Sequence, residues 1–435
     1  MNIEEKILKC CSNEIFSLSE IISKNGGKLF IVGGYLRDLF IGRESKDIDI
    51  EIMGMSFEKV INLIRKMGKA KIVGNAFPVI LYENIEIAVN ESKFKGEDSI
   101  REAASRRDFT INSIYFDMET KKIYDFYNGI TDIENKKINI IKESNIKDDS
   151  ARILRAFQFQ SRFDFEIDKE CGEYLKKYLE LTYNLPKERV FIEIEKILMK
   201  SEKPSKAFWE LKKIGWLKRV FPELDILETV EQGKKYHPEG NVFIHTMLAL
   251  DFLPLKEREI DVMIAILFHD IGKAVVPNIV DGDNIHFYGH DKIGSKMVNE
   301  ILSRITETKE ILEMVAKLIE YHMYPLQIKK EISSKGIKKI ASKVNFEKLM
   351  KLHKADMGGK GIKFDTLYIE QAIKIYIEKK DEIKPIISGK DLIALGIKPG
   401  IEMGEYLKKI YEAQLDEIFM NYEEGIEYAK KITDL

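Results

Sequence analysis

Leu29–Met53 reads LFIVGGYLRDLFIGRESKDIDIEIM, and no other stretch limits so tightly what the chain can fold into. The run Leu29-Phe30-Ile31-Val32 is short and wholly apolar, the pattern of a buried strand. Gly33-Gly34 breaks that strand, and a short helical turn carrying Arg37 and Asp38 follows. Asp47-Ile48-Asp49-Ile50-Glu51-Ile52 then alternates polar with apolar, which predicts a half-buried strand. Side chains alternate faces along a strand, so Asp47 and Asp49 share one face while Ile48, Ile50 and Ile52 enter a core. Two carboxylates one strand-step apart can hold two Mg²⁺ ions against a triphosphate. Gly33 and Gly34 let backbone N–H groups approach the phosphates, and Arg37 adds charge on the same side. A glycine pair or an Asp-x-Asp triplet alone is commonplace; the order strand, Gly-Gly, Arg-Asp, Asp-x-Asp separates phosphate chemistry from an acid-edged surface strand.

With 435 residues the chain has room for roughly three domains of ~150 residues each. Its net charge is −2, so a nucleic acid would have to be met by local clusters of Lys and Arg. Cys10, Cys11 and Cys171 form neither a disulfide framework nor a zinc spacing, which fits a reducing cytoplasm. The N-terminus is acidic and amphipathic, unlike a signal peptide, and the longest apolar run, Val262 to Phe268, is far too short for a membrane span. The expectation is a cytoplasmic protein with no membrane partner and no evident obligate protein partner.

Residues 1–24 predict one amphipathic helix with Ile7, Leu8, Ile15, Leu18 and Ile22 on one face, ended by Asn25-Gly26-Gly27. Ser56 is a candidate N-cap for a helix reaching Lys66. Phe77–Tyr82 and Ile85–Val89 predict a hairpin around Glu83-Asn84, in which Glu86 is either a third metal carboxylate or a solvent-facing strand residue. Residues 91–105 are polar and read as mobile. Arg106 and Arg107, ahead of the apolar segment Ser113–Phe116, are either a phosphate clamp or a solvated basic turn. Asp125 to Gly129 reads as a turn closing the sheet, and from Lys147 onward the periodicity is helical. Asp149, Arg152 and Arg155 make one polar stripe over a buried side of Ile153, Leu154 and Phe157. That stripe is either an internal ion pair or a set of fixed donors and acceptors for a base edge. Pro186-Lys187-Glu188-Arg189 opens a helix with a core stripe of Val190, Ile194, Ile197 and Leu198, and Trp209 and Trp216 in the helical segment 205–224 read as core.

These motifs together, Gly33-Gly34-x-x-Arg37-Asp38 with Asp47-x-Asp49, Arg106-Arg107-Asp108, Asp125 with Gly129, Asp148-Asp149-x-x-Arg152-x-x-Arg155 and Glu188-Arg189, cover about residues 28–200. In order and spacing the set resembles the bacterial class II tRNA nucleotidyltransferases, the CCA-adding enzymes and their poly(A) polymerase relatives. The resemblance implies an α+β fold: a nucleotidyltransferase head with a small mixed β-sheet, then an all-α neck, body and tail. It implies tRNA, CTP and ATP as partners and Mg²⁺ on Asp47 and Asp49. Gly33, Gly34, Arg37 and one or both of Arg106 and Arg107 would hold the triphosphate, with Asp108 and Asn112 also at the nucleotide. Asp149 and Arg152 would select the base, and Arg155 would lie beside the nucleotide. The chain departs from the family's pattern at Asp148, where Glu is usual, and at Gln158, where another Arg is frequent. The segment between Glu86 and Arg106 is also short where the family carries a flexible loop linked to switching from C to A, which favours partial addition.

A second chemistry lies further on. All seven histidines fall between 237 and 353, and six residues run in the order His245, His269-Asp270, His290, His322, Asp356. Imidazole with carboxylate suits Mn²⁺, Fe²⁺, Ni²⁺, Mg²⁺ or Zn²⁺. The pattern resembles the HD phosphohydrolases, which implies His245, His269, Asp270 and Asp356 as primary metal ligands and His290 and His322 as those of a two-metal site. His237, His286 and His353 take no assigned role, although His286 could reach a phosphate. The expected domains are a catalytic head at 1–140, a helical neck and body at 141–235, an HD domain at 236–360 and a helical tail at 361–435. The tail's glycine-rich junctions at Gly389, Gly396, Gly400 and Gly404 suit either phosphate-backbone contact or ordinary helix connections. The expected function is template-free addition of CCA to the tRNA 3′ end alongside HD phosphohydrolase activity. The rivals are a CC-only or A-only enzyme, a poly(A) polymerase, or an RNA-binding head serving an HD phosphodiesterase.

Overall fold

The computed structural model describes residues 2–43, 47–74, 78–83, 85–91, 96–282, 284–361 and 363–433. The chain gathers into two compact units, Met1–Glu193 and Ile194–Leu435.

In the first unit, seven described strands form one mixed sheet: β1 (Lys28–Val32), β2 (Asp49–Met53), β3 (Ala70–Val73), β4 (Val79–Tyr82), β5 (Ile85–Asn90), β6 (Tyr115–Asp117) and β7 (Ile123–Tyr124). Their order is β3-β4-β5-β2-β1-β6-β7, with β2 and β5 parallel and the other neighbours antiparallel. β2 is the central strand, and beside it the apolar run of β1 is buried from Leu29 to Val32. Phe30, Val32 and Met53 pack there with Tyr115, Tyr124 and the helix residues Ile100, Ala103 and Ala104. β2 begins at Asp49, so the strand predicted from Asp47 starts two residues late, and Asp47 is exposed ahead of it. Its polar face is also closed over, since Glu51 is only 6% exposed.

Two further expectations are corrected. Residues 3–24 form two helices, Ile3–Cys10 and Asn13–Lys24, because Cys11 is extended; Ile7, Ile15, Leu18 and Ile22 are still buried. The segment read as mobile contains the helix Glu97–Ser105, whose Ile100, Ala103 and Ala104 face the core; Ser92 to Lys95 lie outside the described residues. β3 has mostly exposed side chains and so carried no burial pattern to find. The predicted hairpin pairs Tyr82 with Ile85, while Phe77 and Asn84 lie outside the described residues.

Two helices, Ser144–Asp148 and Ala151–Phe163, follow the sheet, and a two-residue parallel pairing joins Lys137–Ile138 to Glu166–Ile167. Asp149 falls between the helices in extended backbone, so it is not on one helical stripe with Arg152 and Arg155. The second unit is helical apart from a hairpin, Ile279–Asp281 with Asn284–His286. Val242–Phe252, Ile260–Phe268 and Phe346–Gly359 pack on one another, as do His290–Leu302 and Lys309–Tyr321. Trp216 is fully buried as expected, but Trp209, read as core, is 37% exposed, because its ring meets Phe243 only edge-on and leaves the rest to solvent. The tail has its own core of Ile387, Leu392, Ile410, Ala413, Phe419 and Ala429.

Candidate active sites

The first site lies where β1 ends. Gly33 caps the helix Gly34–Ile41 at φ 69°, a conformation costly for any residue with a side chain. A Cβ there would also sit 3.3 Å from Asp49 Oδ2 and 3.5 Å from Arg107 Nη1, so glycine is what lets strand end, carboxylate and guanidinium meet. The Gly34 N–H donates to Asp49. Burial lifts the Asp49 carboxyl above its ordinary value, Arg107 pulls it back, and Glu86, directly across the parallel pairing, lifts it again. Such a carboxylate gains from a nearby cation. Among the described residues, no three acids of this unit bring ligand atoms within 4.8 Å of one another.

Arg106 and Arg107 are separated by the structure. Arg106 points outward and pairs with Glu102 of its own helix. Arg107 turns inward, donating from Nη2 to Glu51 Oε2 at 2.6 Å and from Nε to the Tyr115 hydroxyl at 3.3 Å. Tyr115 in turn donates to the same Glu51 oxygen at 2.8 Å, and Asn90 donates to the other oxygen at 2.9 Å.

A buried polar chain runs behind the glycines. Arg162 reaches Asp38 at 3.4 Å, and Arg37 bonds Asp38 through Nε at 2.9 Å and Nη2 at 2.7 Å. Arg37 Nη1 donates to Asn112 at 2.6 Å, Asn112 donates to Asp108 at 2.8 Å, and Arg155 pairs with Asp108 at 2.7 Å. Phe159 and Phe163 lie under the Arg37 guanidinium at 5.0 and 4.6 Å. Arg152 donates to the carbonyls of Asn145 at 3.0 Å and Arg106 at 2.7 Å. Asp149 pairs with Arg189 at 2.7 Å and caps the Ala151 N–H at 3.1 Å, so of the two readings of this stripe the internal Asp149–Arg152 ion pair is not the one formed.

The second site lies in the other unit. His269 and His322 cap the C-termini of Ile260–Phe268 and Lys309–Tyr321, and His290 opens His290–Leu302. Their Nδ1 atoms contact the carbonyls of Ile266 at 2.8 Å, Ile319 at 2.7 Å and Phe287 at 2.6 Å. A carbonyl only accepts, so each Nδ1 carries the proton and each Nε2 offers a lone pair. Asp270 straddles the cluster. Its Oδ2 is 3.2 Å from His269 Nε2 and 3.9 Å from His245 Nε2; its Oδ1 is 3.4 Å from His290 Nε2 and 3.8 Å from His322 Nε2. Asp356 Oδ1 lies 3.1 Å from His245 Nε2. The Nε2 atoms of His290 and His322 face each other at 3.2 Å, and His269 Nε2 is buried with no hydrogen-bond partner. Opposed lone pairs and an orphaned ring nitrogen around a carboxylate fit a divalent cation.

Electrostatics agree. Burial lowers His322 to about 3, leaving it neutral. Burial also pushes Asp270 and Asp356 upward, but His269, Lys273 and His290 around Asp270, and Lys360 and His245 around Asp356, outweigh it and hold both well below the ordinary carboxylate range. Gly272 lets the approach happen, because a Cβ there would lie 2.1 Å from the His290 carbonyl oxygen.

The family called Poly A polymerase head domain matches residues 29–139, the probable RNA and SrmB-binding site of polymerase A matches 164–227, and the HD domain matches 235–354. The Multifunctional CCA protein of Pasteurella multocida is 32% identical over 323 residues, covering 68% of this chain and 74% of its own. That of Mannheimia succiniciproducens is 31% identical over 363 residues, covering 76% and 84%. The chain belongs to the CCA-adding family of nucleotidyltransferases. A CCA-adding enzyme solved with ATP shares its fold at TM-score 0.65 and 20% identity, covering 100% of this chain and 99% of that one. The Bacillus stearothermophilus CCA-adding enzyme solved with CTP does so at TM-score 0.71 and 18% identity, covering 97% of each.

Against that family, the structure brings Gly33, Gly34, Asp49, Glu86 and Arg107 to one place, and Arg37, Asp108, Asn112 and Arg155 to the chain behind it. Among the HD residues, His245, His269, Asp270, His290, His322 and Asp356 all converge. His353 bonds the Tyr368 hydroxyl at 2.6 Å, and His286 stacks on Tyr288. The sequence reading of a CCA-adding chain missed Glu51, Arg162, Asn145, Glu239 and Lys273. Glu51 was legible as the next same-face residue after Asp49, and Lys273, 2.8 Å from Asp270, as its i+3 neighbour. No described helix is long and apolar enough to cross a membrane.

Proposed function

We propose that the chain extends the 3′ end of tRNA with CMP and AMP units, without a nucleic-acid template, and hydrolyses phosphoesters at its HD centre. The observation that carries the transfer reading is the meeting of Asp49, the Gly33-Gly34 turn and Arg107. Relatives named Multifunctional CCA protein and structural neighbours solved with ATP, CTP and tRNA support the substrates.

In the transfer, the tRNA 3′-oxygen attacks the α-phosphorus, the bond to the β-phosphate oxygen breaks, and pyrophosphate leaves. Gly33, Gly34, Arg37 and Arg107 orient the triphosphate; Asp108, Asn112 and Arg155 form the side-chain network behind Arg37, and Asp149 and Arg152 sit toward the base. When bound at Asp47 and Asp49, with Glu86 adjoining, Mg²⁺ supplies charge neutralisation for the hydroxyl and pyrophosphate oxygens. In the HD centre, His245, His269, Asp270 and Asp356 would hold one divalent ion and His290 and His322 a second, with Asp270 between them. Such ions supply a nucleophilic water and polarise the phosphoester. We assign the head to 1–140, the neck and body to 141–235, the HD domain to 236–360 and the tail to 361–435, in a cytoplasmic protein.

Partial addition is the second reading, because only residues 91–96 separate β5 from the helix starting at Glu97. The test is a 3′-end readout with Mg²⁺ and tRNAs ending before C, after CC or complete. Growth to CCA followed by arrest supports full addition; arrest at CC, or A added only after CC, supports the partial enzyme. No incorporation would overturn the transfer reading.

A further inference from the structure

His245 is held differently from the other three histidines of the HD centre. The carbonyl three residues before it, that of Val242, accepts the Thr246 hydroxyl at 2.9 Å. His245 Nδ1 instead meets Glu239 Oε1 at 2.7 Å. Glu239 comes from the loop ahead of the helix, where Asn241 caps the Ile244 N–H at 2.9 Å, and its side chain is 3% exposed. The same oxygen meets His237 Nδ1 at 2.9 Å, while Oε2 is buried with no hydrogen-bond partner.

From this we infer that Glu239 is the charge-donating positioning residue of the HD centre, holding His245 so that its half binds the divalent ion more tightly than the His290–His322 half. The inference rests on the proposed HD reading. A backbone carbonyl fixes a ring with a neutral acceptor. A buried carboxylate fixes it with a full charge, polarises the Nδ1–H bond and raises electron density at Nε2. Removing such a partner from a metal-ligating histidine typically costs 10–100-fold in affinity. Nε2 of His245 is also the ring nitrogen that faces Asp356, at 3.1 Å. Glu239 touches no reacting atom in this account and acts only through His245. His237 competes for the same oxygen and draws off part of its charge.

The test is Mn²⁺ titration of the full, chelator-stripped chain by calorimetry. Binding steps lost in Asp270→Ala define the HD centre. Glu239→Gln keeps the size of the side chain but removes its charge, and is expected to raise the Kd of the tighter HD step about 10–100-fold while leaving the weaker step in place. Glu239→Asp should recover part of that loss, and His237→Ala should leave the step unchanged or tighten it. An unchanged tighter step in Glu239→Gln overturns the inference. If that variant does not fold, Glu239→Ala, which also removes the charge, is titrated in its place, and an unchanged tighter step there overturns the inference equally. If the wild-type chain shows no step that Asp270→Ala removes, the HD metal reading itself falls.

Discussion

Arg155 Nη2 lies 2.7 Å from Asp108 Oδ2, and the Asp108 carboxylate is withdrawn from water while the guanidinium keeps a partly exposed edge. The pair ends the polar chain that reaches back through Asn112 and Arg37 to Asp38, so Arg155, expected beside the nucleotide, is tied to the side chains behind the glycine turn.

Burial pushes the Asp108 carboxyl upward, but Arg155 and the Asn112 and Phe109 N–H donors outweigh it, and the net shift is downward. A carboxyl depressed in the folded state adds stability above its unfolded value of about 3.9, and that contribution is lost as pH falls through the folded value. Asp108→Asn should therefore flatten the acid limb of the stability curve. Asp108→Ala, which takes the partner from a half-buried guanidinium, should cost about 1–3 kcal/mol at pH 7 in denaturant melts.

Asp49→Ala should abolish nucleotide incorporation while phosphoester hydrolysis persists. Glu86→Gln should reduce incorporation and raise the Mg²⁺ concentration for half-maximal rate, because Glu86 adjoins Asp49 across the sheet. Near-normal transfer in Asp49→Ala would remove the metal assignment.

Arg106→Ala should leave the KM for CTP nearly unchanged and cost at most ~1 kcal/mol of stability, since Arg106 points outward and pairs with Glu102 of its own helix. Arg107→Ala should lower kcat/KM by at least about 100-fold if its guanidinium meets the triphosphate, a charge-assisted contact of ~3 kcal/mol. Glu51→Gln, which removes the charge that aims Arg107, should raise KM more than it lowers kcat. Steady-state kinetics with CTP separates the three.

His269→Ala and Asp270→Ala should each abolish phosphoester hydrolysis without touching transfer. Because the two oxygens of Asp270 face different histidine pairs, Asp270→Ala should empty both metal positions, whereas His322→Ala should empty one. Metal content by mass spectrometry after desalting reads the difference.

Much of this was legible in the sequence for a physical reason. Leu29 to Val32 and Ile50 to Ile52 carry the period of buried strands, and the glycine pair follows from the need for a left-handed turn at Gly33. The HD ligands were legible because imidazole and carboxylate recur at helix ends in a fixed order. What escaped depended on partners distant in the chain. Nothing local says that Arg107 turns inward and Arg106 outward, since the choice is made by Glu51 and Tyr115. Asp149 and Arg152 have the spacing of a helical pair, but Arg189 takes the acid and two backbone carbonyls take the base. The helix Glu97–Ser105 hid because its buried side is mostly alanine and serine.

Asn145 Nδ2 donates to the carbonyls of Ser105 at 2.9 Å and Arg107 at 2.8 Å, and Arg152 holds the carbonyl between them. Three consecutive peptide groups are thereby bolted to the segment that carries Asp149 and Arg152. If Arg107 grips the phosphates and that segment reads the base, as proposed, the two must travel as one piece, like the jaw and scale of a caliper. A change in which base is accepted has to be made by moving the tRNA end or the chain around that piece, not by sliding one half of it past the other.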